Sequence, residues 1–322
     1  MHALKDKVVK ILLKFGKKQE VFEIGGVKLG GQPGELPTVL IGSIFYEGHK
    51  IVTDRFLGIF DRAKAEELIN IQEEMSDITG VPCMLDVVGE NSRALIRYID
   101  FVADVSESPF LINGPNASVR IEAANYVRDV GLCDRAVYNS INYTLSDEES
   151  TLIKKTKLKA AIIQAFNPKN PYPNGMIQIL EDSPGKEGLI PKALRAGIEK
   201  PLIFTPVLDV PSVGFAARGI YLAKEKFGLP TGTAPVGVVG KWGKRKSLEE
   251  STKAACRGGA LALAQLMGAN FIIYGSISKA KQIFPVCAMI DAIIAYHARG
   301  LGIRPLTGSH PLYKYVPDKL HL

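Results

Sequence analysis

The chain has only four cysteines in 322 residues, Cys83, Cys133, Cys256 and Cys287. They are widely separated, form no CxxC pair and have no histidine at metal-ligand spacing. That argues against a disulfide scaffold or a zinc site and leaves buried free thiols as the expectation. No apolar run approaches the ~20 residues that cross a bilayer. Residues 1–16 alternate lysines with apolar residues and show neither a continuous apolar core nor a small-residue cleavage site. No secretory signal is therefore expected, and the expected compartment is the cytoplasm. No GxGxxG follows the first predicted strand, which weakens a dinucleotide-binding sheet without excluding it. No serine–histidine pair falls at a strand end, and of five histidines only His49 lies in an expected rim loop. Asp86 and Glu90 stand apart from other carboxylates and histidines, so no metal centre is expected.

What remains is an ordinary globular composition, 46% hydrophobic and 23% charged, enough to build a core. The length fits one large domain. The net charge of +7 is concentrated in two lysine-rich patches. One covers Lys5, Lys7, Lys10, Lys14, Lys17 and Lys18, and the other Lys241, Lys244, Arg245 and Lys246. Each reads first as a solvated face and second as a site for an acidic partner or anionic lipid. Nucleic acid is not an expected partner, because the patches carry no binding motif and no interleaved aromatics beyond Trp242.

Residues 3–15 put Leu4, Val8, Ile11, Leu12 and Phe15 on one helical face and lysines on the other, a basic amphipathic helix. Residues 1–18 are read as an extension and 19–322 as the main domain. In EVFEIGGVKLGG, Gly25 and Gly26 supply the turn of a hairpin suited to plugging the bottom of a barrel. Eight strand candidates follow: TVLIGSIF from residue 38, PCMLDVVG from 82, PFLIN from 109, RAVYNSI from 135, KAAIIQAFN from 159, PLIFTPVLD from 201, TAPVGVVG from 233 and NFIIYGSI from 270. Helix-length segments separate them. Runs such as PFLI, without internal alternation, suit parallel strands buried on both faces. The expected fold is a single α/β domain, a (β/α)8 TIM barrel, with an open doubly wound sheet as the alternative. Residues 46–61 and 168–187 follow strands one and five and are candidate lids over the mouth.

Barrel enzymes keep their chemistry at the carboxyl ends of the strands. Collected there are Ser43, Asp86, Glu90, Asn113, Asn139, Asn142, Gln164, Asn167, Thr205, Asp209 and Ser276. Amides dominate this ring. Paired in-plane hydrogen bonds from such side chains suit a flat heterocycle with N–H donors and carbonyl acceptors, and do not suit nucleophilic catalysis by the protein.

The stretch KKQEVFEIGGVKLGGQPGELPTVLIGSIFY, with HKIVTD, GIFD, LDVVGE, RAVYNSIN, AFNPK, VLDVPS and FGLPTG after it, resembles the H subunit of tetrahydromethanopterin S-methyltransferase. It also resembles the bacterial methylcobalamin:tetrahydrofolate methyltransferases. The resemblance runs from about Lys17 to the C-terminus. It implies a pterin-binding barrel, usually a homodimer. That barrel would move a methyl group between a reduced pterin, tetrahydromethanopterin or tetrahydrofolate, and the cobalt of a cobalamin carried by a partner corrinoid protein. A membrane-associated methyltransferase complex is the implied larger setting, with this chain at most peripheral to the membrane.

In that family strand-end Asp and Asn residues hold the pterin edge, and an Asn near strand seven polarises the ring nitrogen bearing the methyl group, because an amine leaves poorly until its developing charge is stabilised. The resemblance carries substrate binding onto Asp86, Asn113, Asn139, Asn167 and Phe204, and the catalytic positions onto Asn139 and Gly237. Three of these depart from the family pattern. FLIN has Asn113 where the family has a carboxylate, PLIF has Phe204 where it has Asp, and Gly237 stands where the polarising Asn is expected, with Trp242 still in register. Two further readings stay open at this point: a corrinoid-dependent methyltransferase using a non-pterin donor, and a non-catalytic paralogue that binds a corrinoid protein or membrane complex.

Overall fold

The computed structural model describes residues 14–315. The expected amphipathic helix falls almost wholly outside the described residues. Strands β1 (Val21–Ile24) and β2 (Val27–Gly30) form the expected hairpin around Gly25 and Gly26, both at positive φ. That is the backbone a tight hairpin turn requires and only glycine adopts without cost.

The chain then builds β3 (Val39–Ile44), a two-stranded hairpin of β4 (Val52–Asp54) and β5 (Ile59–Phe60), β6 (Cys83–Val88), β7 (Phe110–Asn113) and β8 (Ala136–Ile141). It continues with β9 (Ala160–Gln164), β10 (Lys200–Thr205), β11 (Thr231–Thr233) and β12 (Phe271–Ser276). Leaving out the β4–β5 hairpin, these are eight parallel strands in chain order, closed by pairing of β12 with β3. The helices between them are α1 (Arg62–Thr79), α2 (Ser92–Val105), α3 (Ala117–Asp129), α4 (Asp147–Thr156), α5 (Pro173–Leu180), α6 (Leu189–Arg195), α7 (Ser212–Phe227), α8 (Val236–Arg245), α9 (Glu250–Leu266), α10 (Ala280–Ala298) and the short α11 (Pro311–Tyr315). The barrel expected from strand and helix alternation is the barrel found.

Both faces of each strand are buried, which is why the strands read as unbroken apolar runs. Outward residues such as Ile44, Leu85, Phe110, Ile112 and Tyr138 pack under the helices. Inward residues Val39, Ile41, Met84, Leu111, Val137, Ile162, Leu202 and Phe271 make a separate interior cluster, which Ile24 and Leu29 of the hairpin join. The hairpin therefore plugs the amino-terminal end of the barrel, and the carboxyl end is left for the site. Two buried polar knots fix the closed end. Asp291 of α10 accepts from the Thr38 amide at 2.8 Å, the Thr38 hydroxyl at 2.9 Å and Gln265 at 2.8 Å. Lys224 of α7 donates to Asn270 Oδ1 at 2.6 Å and to the Gly31 carbonyl at 3.0 Å. Burial pushes the Asp291 pKa up to about 6 and that of Lys224 down to about 7.

The mouth-side helix starts are capped by their own sequence. Asp61, Asn91, Asn116 and Ser146 each accept from the backbone amide three residues on, which satisfies a donor the helix itself cannot. The two long connections are tied down. In residues 46–61 the carbonyls of Phe56 and Leu57 accept from Asn91 and Arg97 of the α2 region, and residues 168–187 contain α5.

Strand seven differs from expectation. TAPVGVVG does not run on as strand: β11 is only Thr231–Thr233, and Val236 begins helix α8. A short apolar run fits either state. Here Pro235 takes the N-cap position, and Val236, Val239 and Gly243 recur at helical spacing on the buried face.

Candidate functional site

The period of two along a strand selects the residues of the mouth. Ile41 faces the interior, so Ser43 does too; the same step leads from Met84 to Asp86, Leu111 to Asn113, Val137 to Asn139, Ile162 to Gln164, and Leu202 to Phe204. Register then sets neighbours. Ser43 pairs with Asp86, Asn113 with Asn139, and Gln164 with Phe204. The layer above the apolar interior is thus polar over strands β3 to β9 and aromatic at β10.

Asp86 is the centre of this layer and is 3% exposed. Its Oδ2 accepts from the Ser43 hydroxyl at 2.7 Å. Its Oδ1 accepts from Asn113 Nδ2 at 2.9 Å and from Asn139 Nδ2 at 3.3 Å. Burial pushes the Asp86 pKa up, and the three donated bonds oppose that shift. A carboxylate offers about four lone-pair sites, so one remains after three donors. The two amides have spent N–H groups on the carboxylate, and their carbonyl oxygens accept no hydrogen bond from the described residues. The cluster therefore offers acceptors in a row. Past Asn139 the β8–β9 register shifts by one residue, a bulge that re-aims side chains at a barrel rim.

Phe204 is half-buried and packs on the interior cluster, giving the mouth an apolar wall. Asn167 is not joined to the Asp86 group: its Oδ1 accepts from the Lys169 amide at 3.1 Å and its Nδ2 donates to the Gly175 carbonyl at 3.3 Å, bonds that shape the loop before α5. Asn142 and Asp209 organise their own loops through Thr144 and Ser212, and Thr205 is buried and donates to the Gly232 carbonyl. Gly237 lies in the first turn of α8, not on a strand, and lines a mouth cavity with Ser43. A Cβ added there would meet nothing within 4 Å. His49 receives the Phe45 amide on Nδ1, stacks on Tyr46, and is kept neutral-leaning by burial. Among the described residues no group of His, Cys, Asp and Glu is arranged to hold a metal ion. No described helix is long and apolar enough to cross a membrane, and the four cysteines are free.

Sequence reading placed Ser43 on the rim without seeing that it steadies Asp86. Its two-residue spacing from inward Ile41 was the available signal. Reading the lysines of α8 as a solvated patch also missed that Lys241 and Lys244 line the same cavity as Gly237.

The profile of the family described as Tetrahydromethanopterin S-methyltransferase MtrH subunit matches residues 17–306. The H subunit of tetrahydromethanopterin S-methyltransferase from Methanothermobacter thermautotrophicus is 41% identical over 311 residues, covering 95% of this chain and all of that protein. The H subunit of the putative methyltransferase mtx from Methanosarcina mazei is 42% identical over 307 residues, covering 94% of this chain and 99% of its own. Among solved structures, a dihydropteroate synthase of Yersinia pestis in complex with a sulfonamide drug overlays with TM-score 0.57 at 14% identity, over 85% of this chain and 98% of that one. At that identity the overlay speaks for the barrel fold alone.

Proposed function

The chain belongs to the family of the tetrahydromethanopterin S-methyltransferase MtrH subunit, and from that premise we propose that it is a methyltransferase acting on a reduced pterin held at the barrel mouth. The observation that carries the reading is the Asp86 cluster. Its spare carboxylate lone pair and the free carbonyl oxygens of Asn113 and Asn139 match the N–H-rich edge of an aminopyrimidinone ring. Asn113 in place of a carboxylate removes a charge there and keeps an acceptor, so the departure from the family pattern leaves the recognition surface intact. Phe204 then supplies an apolar wall to the flat ring.

The reaction breaks the bond between the pterin nitrogen and its methyl group. The nitrogen keeps the bonding pair and takes up a proton. A corrinoid on a partner protein would supply a reduced cobalt centre whose electron pair makes the new bond to the methyl group. The chain's own part is to fix the ring, exclude water from its edge and favour the charge that develops on nitrogen. Asn139 is the amide we assign to that last step, because its 3.3 Å bond to Asp86 is the longer of the two and the easier to exchange. No side chain at Gly237 adds a second donor.

We place the chain in the cytoplasm, with residues 1–18 as an extension of the main domain and with peripheral contact to a membrane-associated assembly through partner proteins. A homodimer is supported by an exposed apolar stripe on α10, Met289, Ile293 and Tyr296, at positions that share one helical face. Calorimetric titration with tetrahydromethanopterin and tetrahydrofolate, with and without the methyl group, tests the reading. Micromolar binding of at least one, lost in Asn139→Ala, is expected, together with methyl transfer to cobalamin. Transfer from a methylated amine or thiol without pterin binding would favour a different donor. Absence of binding and transfer alike would leave a partner-binding paralogue.

A further inference from the structure

A cavity of about 580 Å³ opens between the barrel mouth and helices α8 and α9. On the barrel side it is lined by Ser43, whose hydroxyl bonds Asp86, so it adjoins the proposed ring site. Its outer wall is cationic. Lys241 and Lys244 follow Gly237 at four and seven residues, on the face of α8 toward the cavity. Lys253 and Arg257 come from α9, and Lys279 closes the turn after β12. No carboxylate is among the lining residues. The one acid in contact is Glu250, which accepts from Arg257 at 2.7 Å and Lys253 at 2.9 Å and is held down to about 2 by those bonds.

This wall is more than a solvated face. The Arg257 side chain is 7% exposed, and its Nε is buried without a partner. It lies 4.0 Å from the place where a side chain on Gly240 would begin, so the guanidinium rests against the α8 backbone. Burial lowers the Lys279 pKa, and the neighbouring Arg257 charge adds to the effect. Lys241, Lys244 and Lys279 have no ion-pair partner among the described residues. Holding five cations together with one carboxylate costs repulsion that an incoming anion would relieve.

Resting on the pterin reading above, we propose that Arg257, Lys241, Lys244 and Lys279 form an anion subsite that takes the phosphate or carboxylate groups on the side chain of the pterin substrate while its ring sits at Asp86. Because Ser43 and the α8 lysines line one cavity, a single ligand with a neutral, donor-rich head and an acidic tail can meet both. Phosphate and carboxylate oxygens accept charge-assisted bonds from such donors, each able to change affinity about tenfold.

The test compares three probes: tetrahydromethanopterin, a tetrahydropterin lacking the acidic side chain, and inorganic phosphate. They are titrated into the wild-type chain and into the Lys241→Ala/Lys244→Ala variant, whose changes fall on exposed positions. Trp242, the only tryptophan, sits between the two lysines and reports the phosphate arm by its fluorescence. The wild type should prefer the tailed pterin to the tail-free one by about 30-fold or more, a preference that shrinks as salt is raised. The variant should lose at least about tenfold of it and bind the tail-free pterin as before. An unchanged preference in the variant overturns the subsite while leaving the ring site standing. Failure of the tail-free pterin to bind the wild type overturns the ring site, and the tail assignment with it. Phosphate binding that is undiminished when the tailed pterin is saturating shows a separate anion and also overturns the assignment.

Discussion

Asn113→Asp introduces the carboxylate expected from the family pattern, and the structure sets what it must cost. Asn113 Nδ2 lies 2.9 Å from Asp86 Oδ1, so the substitution trades a donor for a second anion at hydrogen-bond distance, in a place where Asp86 is already 3% exposed. At that separation and an effective dielectric of about 20, two unit charges repel by about 6 kcal/mol. The pair therefore keeps one proton through neutral pH. In the unfolded chain both acids titrate near ~4. The folded-state pKa of the pair is thus raised above the unfolded value, and the associated stability is present below pH ~4 and lost as pH rises. Each pH unit across that window costs about 1.4 kcal/mol, or about 4 kcal/mol in total between pH 4 and pH 7, less whatever the shared-proton bond returns.

Urea unfolding of wild type and variant at pH 5, 6, 7 and 8 reads this directly. The stability difference should widen by about 1 kcal/mol or more per unit from pH 5 to pH 7. A difference that stays constant across that range would mean that residues 86 and 113 do not face each other, and the acceptor row assigned to the pterin edge would fall with it.

Asp86→Asn should lower reduced-pterin affinity at least ~30-fold by calorimetry, since a buried acceptor of N–H groups becomes half donor. In the wild type that affinity should climb as pH rises through the raised Asp86 pKa and be flat with pH in the variant; a wild-type profile equally flat counts against an ionised Asp86 in binding. Gly237→Asn places an amide at the open first turn of α8, where a Cβ meets nothing within 4 Å; stability should hold or rise by about 0.3 kcal/mol because glycine is only slightly poorer than asparagine as a helix former, and methyl transfer should rise by about tenfold or more if a donor beside the ring nitrogen was missing. A folded variant with unchanged turnover would remove Gly237 from the catalytic site. Asp291→Ala should cost about 3 kcal/mol near pH 7 by orphaning the Thr38 amide and its partners. Because burial raises the Asp291 pKa to about 6, the wild-type contribution weakens between pH ~4 and 6, and the mutational loss should be larger at pH 4.5 than at pH 7; the opposite trend in thermal unfolding would contradict the assignment.

The barrel was readable because each barrel strand is buried on both faces and four of the helices, those after Asp61, Asn91, Asn116 and Ser146, begin at a capping residue, so local pattern and global fold agree. Strand seven was not, because APVGVVG has the composition of a buried strand, and only tertiary packing decides that Val236 and Val239 face inward from a helix. Asp86, Asn113 and Asn139 were legible as strand-end residues, but nothing in a linear sequence shows that both amides turn their N–H groups to one carboxylate. Asn167 looked equivalent to them. Its fate was written locally, since an Asn followed by Pro168 and bonded to the amide two residues on forms a side-chain turn. The α8 lysines were read as solvated because their partner surface, Ser43 and Arg257, comes from distant parts of the chain.

The departures from the family pattern then acquire a common electrostatic sense under the proposed reading. A mouth with carboxylates at positions 86, 113 and 204 would set several anions close to the cationic wall of α8 and α9 and neutralise part of it. Here Asn113 and Phe204 leave Asp86 as the sole acid of the interior layer, and its charge is taken up by Ser43, Asn113 and Asn139. The lysines and Arg257 keep their field for an incoming anion. Inner acceptors and outer cations then orient one ligand end to end, its N–H edge inward and its acidic groups outward, before any partner arrives. Such orientation is the larger part of what a barrel without its own nucleophile can contribute to methyl transfer.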